Sequence, residues 1–554
     1  MEVTLADGRR VVLNAVDVAY YLSDAFAKAS APDGIAGQLG RYTDDTQNLL
    51  AFTGAGGWAD LPGRYLNAKW FGAKGDGATD DTVALQAAIN RAATLKLNLY
   101  IPAGWYKFTR LWLIYDATNN PGYPSTDQGR QVIFGDDGRM ARAAFTSGLK
   151  YGTVLESTHS VGPAINLEAT SAIRGIVLRD LALIASNTTW AVSATQISQR
   201  AGLVRVGVEQ QGSGGGVIWR DSNHTIFDDV WLHGAGKDVS GIGFHVAHPS
   251  VSGGVHRIPS LGSSAFNIGL QIGEDTTGAA SSFNAVDVGP MEVIDCNTGI
   301  IVQGGARGVK LDSPHVETCA TRGIWVRGGA QQTTIITPFL NNSTATVADI
   351  QLGDSAASGT SREWRRCLIL SPTITNVNSR GIYREFANAS TLGLTILNPS
   401  LAAAAAGIGT GIDLGSGIPR GVAIINPSYT NLGTNRAGDN PEFLVEDGVV
   451  TCAQGLIVGT GTSTGTQVTA YYSATAALAF GTIAANTVGV LTMTVTGAAI
   501  GDTVEVVPDG TPGTGLVWSG RVSAANTVEV RVGNVTTGGV VTTDRTWRAS
   551  VFAH

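Results

Sequence analysis

Pro290-Met-Glu-Val-Ile-Asp-Cys-Asn-Thr-Gly-Ile-Ile-Val-Gln-Gly-Gly305 aligns without a gap on Pro314-His-Val-Glu-Thr-Cys-Ala-Thr-Arg-Gly-Ile-Trp-Val-Arg-Gly-Gly329, 24 positions later. Pro338-Phe-Leu-Asn-Asn opens a third copy after the same interval and ends in Gly353, and Pro372, Pro399 and Pro427 head further copies at spacings of 34, 27 and 28. A repeat of this length is a single supersecondary unit that cannot bury its apolar face alone, so its copies must stack. Runs such as Thr333-Thr-Ile-Ile, Cys367-Leu-Ile-Leu and Val422-Ala-Ile-Ile are bounded by Gly or Asn and are too short for helices. Three short strands per coil of 24 residues is the economical reading, with loops inserted where the interval lengthens. Ile173-Arg-Gly-Ile-Val-Leu-Arg-Asp-Leu-Ala-Leu and His224-Thr-Ile-Phe-Asp-Asp-Val-Trp-Leu read as earlier coils.

The whole chain of 554 residues has 72 Gly, 18 Pro, 43% hydrophobic and 15% charged residues. That is enough apolar content to bury a core, and the Gly has no three-residue period, so neither disorder nor collagen fits. A net charge of −7 without any Lys/Arg block argues against nucleic acid as a partner. The N-terminus lacks an apolar h-region, and no uninterrupted apolar run reaches the roughly 18 residues of a membrane span, so neither Sec export nor membrane insertion is expected. The four cysteines, at 296, 319, 367 and 452, lack zinc-site spacing and read as small buried hydrophobes.

Three regions emerge. Residues 1–65 differ in texture from the repeats: Ala15 to Ala29 has amphipathic-helix spacing, and a turn-rich stretch leads through Gly54-Ala-Gly-Gly57, as in a small anchoring module. Residues 66–450 hold the repeats. Residues 451–554 are rich in Thr, Val, Ala and Gly, with strand-like Val488-Gly-Val-Leu-Thr-Met-Thr-Val and Thr527-Val-Glu-Val-Arg-Val, and read as an antiparallel β-sandwich.

The start of the repeat region is the most specific segment: Ala68-Lys-Trp-Phe-Gly-Ala-Lys-Gly-Asp-Gly-Ala-Thr-Asp-Asp-Thr-Val-Ala-Leu-Gln-Ala-Ala-Ile89, then Leu99-Tyr-Ile-Pro-Ala-Gly-Trp-Tyr106. Gly75-Asp76-Gly77 makes a tight turn. Thr79 or Asp80 caps a helix whose Val83, Leu85, Ala88 and Ile89 are expected to face inward. This pattern resembles the opening of the pectate-lyase-like superfamily of right-handed parallel β-helices, which includes polysaccharide lyases, polygalacturonase-like hydrolases and many phage tail spikes. The close match covers about 40 residues. The resemblance implies an all-β fold: a right-handed parallel β-helix solenoid capped by that helix, with a small N-terminal anchoring segment and the C-terminal sandwich. Asp76, Asp80 and Asp81 are then structural. The C-terminal texture is similar to terminal modules of phage tail proteins.

The function implied is that of a phage tail spike which binds and depolymerises a bacterial surface polysaccharide. It would work as a homotrimer on the virion tail, with the N-terminus joined to tail or baseplate proteins. The alternatives are a receptor-binding spike without catalysis, a polysaccharide lyase, and a secreted pectinase, which the extra terminal modules argue against.

The position two after each aligned Pro is Glu292, Val316, Leu340, Ile374, Leu401 and Tyr429; it is mostly apolar and should point inward. Glu292 is the exception, either a local register change or a buried acid. His315 and Glu317 should point outward, with Met291 and Val293 below them and Phe339 and Asn341 above. Hydrolysis of a polysaccharide needs two carboxylates roughly 5–10 Å apart. Glu317 is the first choice, Asp295 one coil below is its partner, and Asp312 is a reserve; in the pair Asp228-Asp229, neighbours in a strand face opposite ways, so one at most would serve. Lyase chemistry would instead need a base and a cation, Ca²⁺ or Arg. Arg322, Arg327, Arg365 and Arg366 with Trp325 and Trp364 offer a sugar-stacking, acid-binding groove, beside His315. His245, His248 and His256 lie near one another in sequence but lack Cys or Glu at ligand spacing, so no metal or other cofactor is expected.

Overall fold

A computed structural model describes residues 65–125, 131–137, 152–250, 253–274, 283–342, 344–353, 365–385, 393–403, 405–415, 421–437, 443–446, 449–452, 456–457, 467–468 and 470–553, with six short strands before residue 65. The chain forms two units, Met1–Pro441 with Val445–Val449, and Glu442–Leu444 with Val450–His554.

The first unit is a parallel β-solenoid. One turn consists of strands Phe283–Val288, Met291–Ile294 and Thr298–Val302. Ala306–Asp312, Pro314–Glu317 and Arg322–Val326 form the next turn, and Gln331–Ile336, Phe339–Asn341 and Ala348–Leu352 the one after. Each strand pairs in parallel with its equivalent one turn on, giving three faces. The first and second faces run together as one sheet, whereas the third is a separate sheet of twelve described strands.

The recurring Pro has a structural cause. Ser313, Thr337, Ser371, Asn398 and Asn426, each immediately before a repeat Pro, all have positive φ, between 42° and 51°. One residue in the left-handed region turns the chain from the first face to the second, and Pro starts the new strand with its fixed φ. Inward-facing Val316, Leu340, Ile374 and Leu401 are at most 1% exposed. Burying each such side chain stabilises by about 1.5–3 kcal/mol.

The gapless alignment fails at one place. Met291 pairs with Pro314 and Val293 with Val316, so the second face steps by one residue fewer than the third, where Ile300 pairs with Ile324. Glu292 is therefore a register change and stands beside His315, and Glu292 and Ile294, rather than Met291 and Val293, lie below His315 and Glu317. The extra residue is absorbed in the following corner, where Ala320 N–H already bonds the Cys296 carbonyl and Thr321 N–H that of Asn297.

At the first turn, helix Thr82–Leu95 buries Leu85, Ala88, Ile89 and Ala92. Val83, expected inward, is 82% exposed, because it sits about 200° around the helix from Leu85. Asp80 Oδ1 accepts the Thr82 N–H, and buried Asp81 accepts the N–H groups of Lys74 and Gly75 at 2.6 and 2.9 Å. Asp76 closes its own turn through Ala78 and Thr79 N–H, which hold its pKa down to about 2. Within the helix expected over Ala15–Ala29, Ala19–Tyr21 is instead a strand paired with Leu39–Tyr42, as the Tyr pair's preference for a pleated surface favours. The remainder of that stretch lies outside the described residues.

In the second unit, Ala470–Leu478, Arg545–Ala553 and Thr503–Pro508 form one antiparallel sheet, and Val488–Thr494, Thr527–Asn534 and Leu516–Ala524 a second. They share a core of Met493, Val528, Val530, Val532, Trp547, Ala549 and Val551.

Candidate functional site

The third face repeats a four-residue pattern that positions one outward side chain per turn. Gly216-Val-Ile-Trp, Gly243-Phe-His-Val, Gly269-Leu-Gln-Ile, Gly299-Ile-Ile-Val, Gly323-Ile-Trp-Val, Asp349-Ile-Gln-Leu, Gly381-Ile-Tyr-Arg and Gly411-Ile-Asp-Leu stack in register. The leading Gly is needed because the corner brings it against the core: a Cβ on Gly323 would lie 2.6 Å from Leu340 Cδ2 and 2.8 Å from Asn342 Nδ2. The second and fourth residues fill the interior. The third residues form one column on the side of the strand away from the interior: Ile218, His245, Gln271, Ile301 and Gln351, all at most 6% exposed, with Trp325, Tyr383 and Asp413 half-buried.

The centre of this column is built around Trp325. Its indole N–H donates to the Gly353 carbonyl at 2.7 Å, and the guanidinium carbons of Arg322 and Arg327 lie 4.0 and 4.5 Å from its ring centroid. Each Arg is oriented by a buried Gln from an adjacent turn. Arg322 Nε donates to Gln351 Oε1, and Arg327 Nη1 donates to Gln303 Oε1 at 2.7 Å. Gln351 is 0% exposed and also donates to Glu385 Oε2 at 2.5 Å, so it couples a cation to a carboxylate across two turns. Further along, the Arg380 guanidinium covers Tyr383 at 4.2 Å and pairs with Asp413 at 2.8 Å. Guanidinium on an aromatic face gains cation–π energy while its N–H edge keeps a fixed fork suited to carboxylates.

His245 occupies the same column. Its Nε2 bonds the Gly273 carbonyl at 2.9 Å, while its Nδ1 is buried with no hydrogen-bond partner among the described residues. Glu274 lies 4.0 Å away and favours the cation, but burial, with Arg220 nearby, dominates and lowers the pKa to about 4.

The expected site residues fall into separate groups. Arg322, Trp325 and Arg327 meet as one cluster on the third face. His315 and Glu317 are on the second face of the same turn, with His315 Nε2 2.9 Å from Glu317 Oε1 and the His315 ring edge-on to Phe339 at 4.9 Å. Asp295 lies in the corner beyond, with φ +53°; its N–H bonds the Glu317 carbonyl and its carboxylate is 3.6 Å from Lys237. Asp312 belongs to the first face, where the Lys310 ammonium at 2.9 Å and the Ser313 hydroxyl lower its pKa. Asp229 has φ +53° and accepts the Trp231 indole N–H at 3.2 Å. Arg366 is the second residue of the first-face strand Arg365–Leu370, and Trp364 and the Arg365 side chain lie outside the described residues. His248 and His256 form a buried Nε2–Nε2 contact of 2.8 Å, and among the described residues no cluster of three metal-ligating side chains occurs. Cys296, Cys319 and Cys367 are buried free thiols.

Gln351, Tyr383, Arg380, Glu385, Asp413 and His245's place in the column were missed because inserted loops stretch the interval between copies. The signal was nonetheless present as Gly-aliphatic-x-aliphatic, with x the outward residue.

The fold is a parallel β-solenoid, and the profile of the family described as "Rhamnogalacturonase A/epimerase, pectate lyase-like" matches residues 65–325. No curated protein matches the sequence. Among solved structures, the chain is similar to ORF18 of Geobacillus virus E2, with 14% identity, TM-score 0.42, and 95% of this chain and 90% of that one covered. It is also similar to tailspike protein gp49 from Acinetobacter baumannii bacteriophage Fri1, a capsular polysaccharide depolymerase, with 11% identity, TM-score 0.44, and coverages of 97% and 98%. The A-module of the Azotobacter vinelandii mannuronan C-5 epimerase AlgE6 is similar at 14% identity, TM-score 0.37, and coverages of 69% and 98%.

Proposed function

We propose that the protein is a phage tail spike that binds an acidic bacterial surface polysaccharide along the third face and cleaves it by glycosidic hydrolysis. The observation that carries this reading is the Trp325 cluster, two guanidiniums on one indole, each bonded to a buried Gln, with Arg322 joined through Gln351 to the Glu385 carboxylate. Guanidiniums fixed beside an indole suit an anionic, ring-bearing ligand.

Cleavage is assigned to Glu385, two residues beyond Tyr383 in the same turn, and Asp413, which pairs with Tyr383 on the next turn. With about 4.8 Å between turns and a two-residue offset, their backbone separation is about 8 Å, from which the two carboxyl groups can reach the roughly 5–10 Å separation of catalytic pairs. The second reading keeps Glu317 as the acid with Asp295 as partner, and is favoured by the direct contact between Glu317 and His315. Asp312, on the first face beside Lys310, stands apart from both pairs.

The test uses a panel of purified acidic capsular polysaccharides with polygalacturonate and alginate, scoring new reducing ends and unsaturated sugars. Glu385→Gln is expected to slow release of reducing ends at least 100-fold, the usual contribution of a general acid, with Glu317→Gln at full rate. The reverse pattern moves catalysis to the second face. Unsaturated products make the protein a lyase, and binding without products makes it a non-catalytic receptor-binding spike. Homotrimer formation and attachment to the virion tail through the N-terminal segment belong to the same proposal, and a monomeric mass in light scattering would remove the first.

A further inference from the structure

On the second face, Ile294 pairs back with Ser264, Ser264 with His233 and His233 with Glu209, so three polar residues follow one another on successive turns. Their inward neighbours Val208, Leu232 and Ser263 are at most 2% exposed, and Glu209, His233 and Ser264 stand half-buried on the opposite side of their strands. His233 Nδ1 and Ser264 Oγ are 2.8 Å apart, a separation at which an imidazole can take a hydroxyl proton. On the other side of His233, the Gln211 amide holds Glu209 by donating to its Oε1 at 2.9 Å. A carboxylate, an imidazole and a hydroxyl in that order are the parts of an activated serine. Stacking brings them together from positions 24 and 31 residues apart.

The surroundings suit an acylated sugar. Trp231, 45% exposed, precedes His233 by two residues on the same side of the strand and pairs in register with Gly207 and Gly262. Its indole lies across Gly262, where a Cβ would stand 2.3 Å from Cε3 and 2.5 Å from Cζ3, and its N–H donates to Asp229 at 3.2 Å. Glycine two residues before Ser264 thus leaves room for an aromatic surface fixed beside the hydroxyl, on which a sugar ring can stack. Ile294, half-buried on the following turn, offers an aliphatic side chain next to Ser264 in the same column. The loop after His233 carries Lys237, whose ammonium is 3.6 Å from Asp295, the residue that follows Ile294, and brings positive charge to this corner.

We infer that Glu209, His233 and Ser264 form an esterase centre that removes a short acyl group, such as acetyl, from a sugar hydroxyl. Ser264 Oγ attacks the ester carbonyl carbon as its proton passes to His233; the tetrahedral adduct expels the sugar oxygen, which takes that proton and leaves as the free hydroxyl. Water then gives a proton to His233 and attacks the acyl-serine, and the carboxylic acid departs as Ser264 recovers its proton. Glu209 is a positioning residue that orients the ring and stabilises the imidazolium. Ile294 receives the acyl chain, Trp231 the sugar, and Lys237 offsets negative charge on the adduct. This chemistry leaves the glycosidic bond intact, so it goes beyond cleavage of the polymer and does not depend on it.

The experiment follows acetate release from para-nitrophenyl acetate and from O-acetylated xylan by the full chain, with peptide mass analysis after treatment with a fluorophosphonate. The unmodified chain is expected to release acetate from both and to carry the phosphonyl adduct on Ser264. Ser264→Ala should lower both rates by about 100-fold or more. Trp231→Ala should raise KM for the xylan ester about tenfold more than for the aryl ester. Glu209→Gln should move the acid limb of the pH–rate profile to lower pH, because a neighbouring carboxylate favours the protonated imidazole, whereas a purely structural role would leave the limb in place. Undiminished acetate release by Ser264→Ala, or neither release nor adduct with the unmodified chain, overturns the inference, and neither result bears on cleavage of the polymer.

Discussion

Protonation of His245 should be a principal acid-sensitive step of the third face. The neutral ring uses its single Nε2–H on the Gly273 carbonyl, and a second proton would go to Nδ1, which is buried and has no acceptor among the described residues. Burial lowers the pKa from 6.5 to about 4, so the folded chain binds fewer protons than the unfolded one across that interval. The contribution is therefore fully present above pH 6.5 and is lost as pH falls toward 4. At about 1.4 kcal/mol per pKa unit, the 2.5-unit difference amounts to about 3 kcal/mol by pH 4. His245→Gln keeps a donor for Gly273 but cannot titrate. Unfolding of both proteins by guanidinium at pH 8, 6 and 4 should show the unmodified chain losing about 3 kcal/mol more than the variant between the extremes. Parallel pH profiles would overturn this account and mean that His245 is either solvated or stabilised as the cation by Glu274.

The interior sets two further outcomes. Asp349 takes the place of the corner Gly, is 0% exposed, and accepts only the Asn342 amide at 3.0 Å among the described residues; burial raises its pKa well above the usual carboxylate range. Its neutral form is the stable one, so its stabilising contribution is complete below pH 3.8 and is lost as pH rises, and Asp349→Asn should raise the melting temperature more at pH 8 than at pH 5. Gly323→Ala should destabilise by about 1–3 kcal/mol in denaturant unfolding, because its methyl would overlap Leu340 and Asn342.

The stacked architecture was legible from local chemistry. A coil needs an apolar residue at fixed places and a corner residue that tolerates positive φ before Pro, and both requirements act on single positions, so they survive as a visible repeat. Val316, Leu340, Ile374 and Leu401 show it on the second face. The capping segment was readable for a similar reason: Asp76, Asp80 and Asp81 bond backbone groups within seven residues.

The candidate site was legible only in part. Trp325 with Arg322 and Arg327 lies within one turn and could be grouped from sequence. Glu317 and His315, in the same turn, were grouped with them, but a corner places them on another face. Gln351, Tyr383, Glu385 and Asp413 come from later turns, separated by loops of unequal length. Which residue reaches which neighbour depends on how many residues each corner absorbs, as the single extra residue between Cys319 and Thr321 shows by moving Glu292 from the interior to the surface. That this chain stacks, and where it turns, could be read from the amino acids in order, because those are properties of individual residues. The register between turns, and with it the column from Ile218 to Asp413, was set by the folded molecule, because side chains become neighbours along a solenoid axis through pairing between strands and not through distance along the chain.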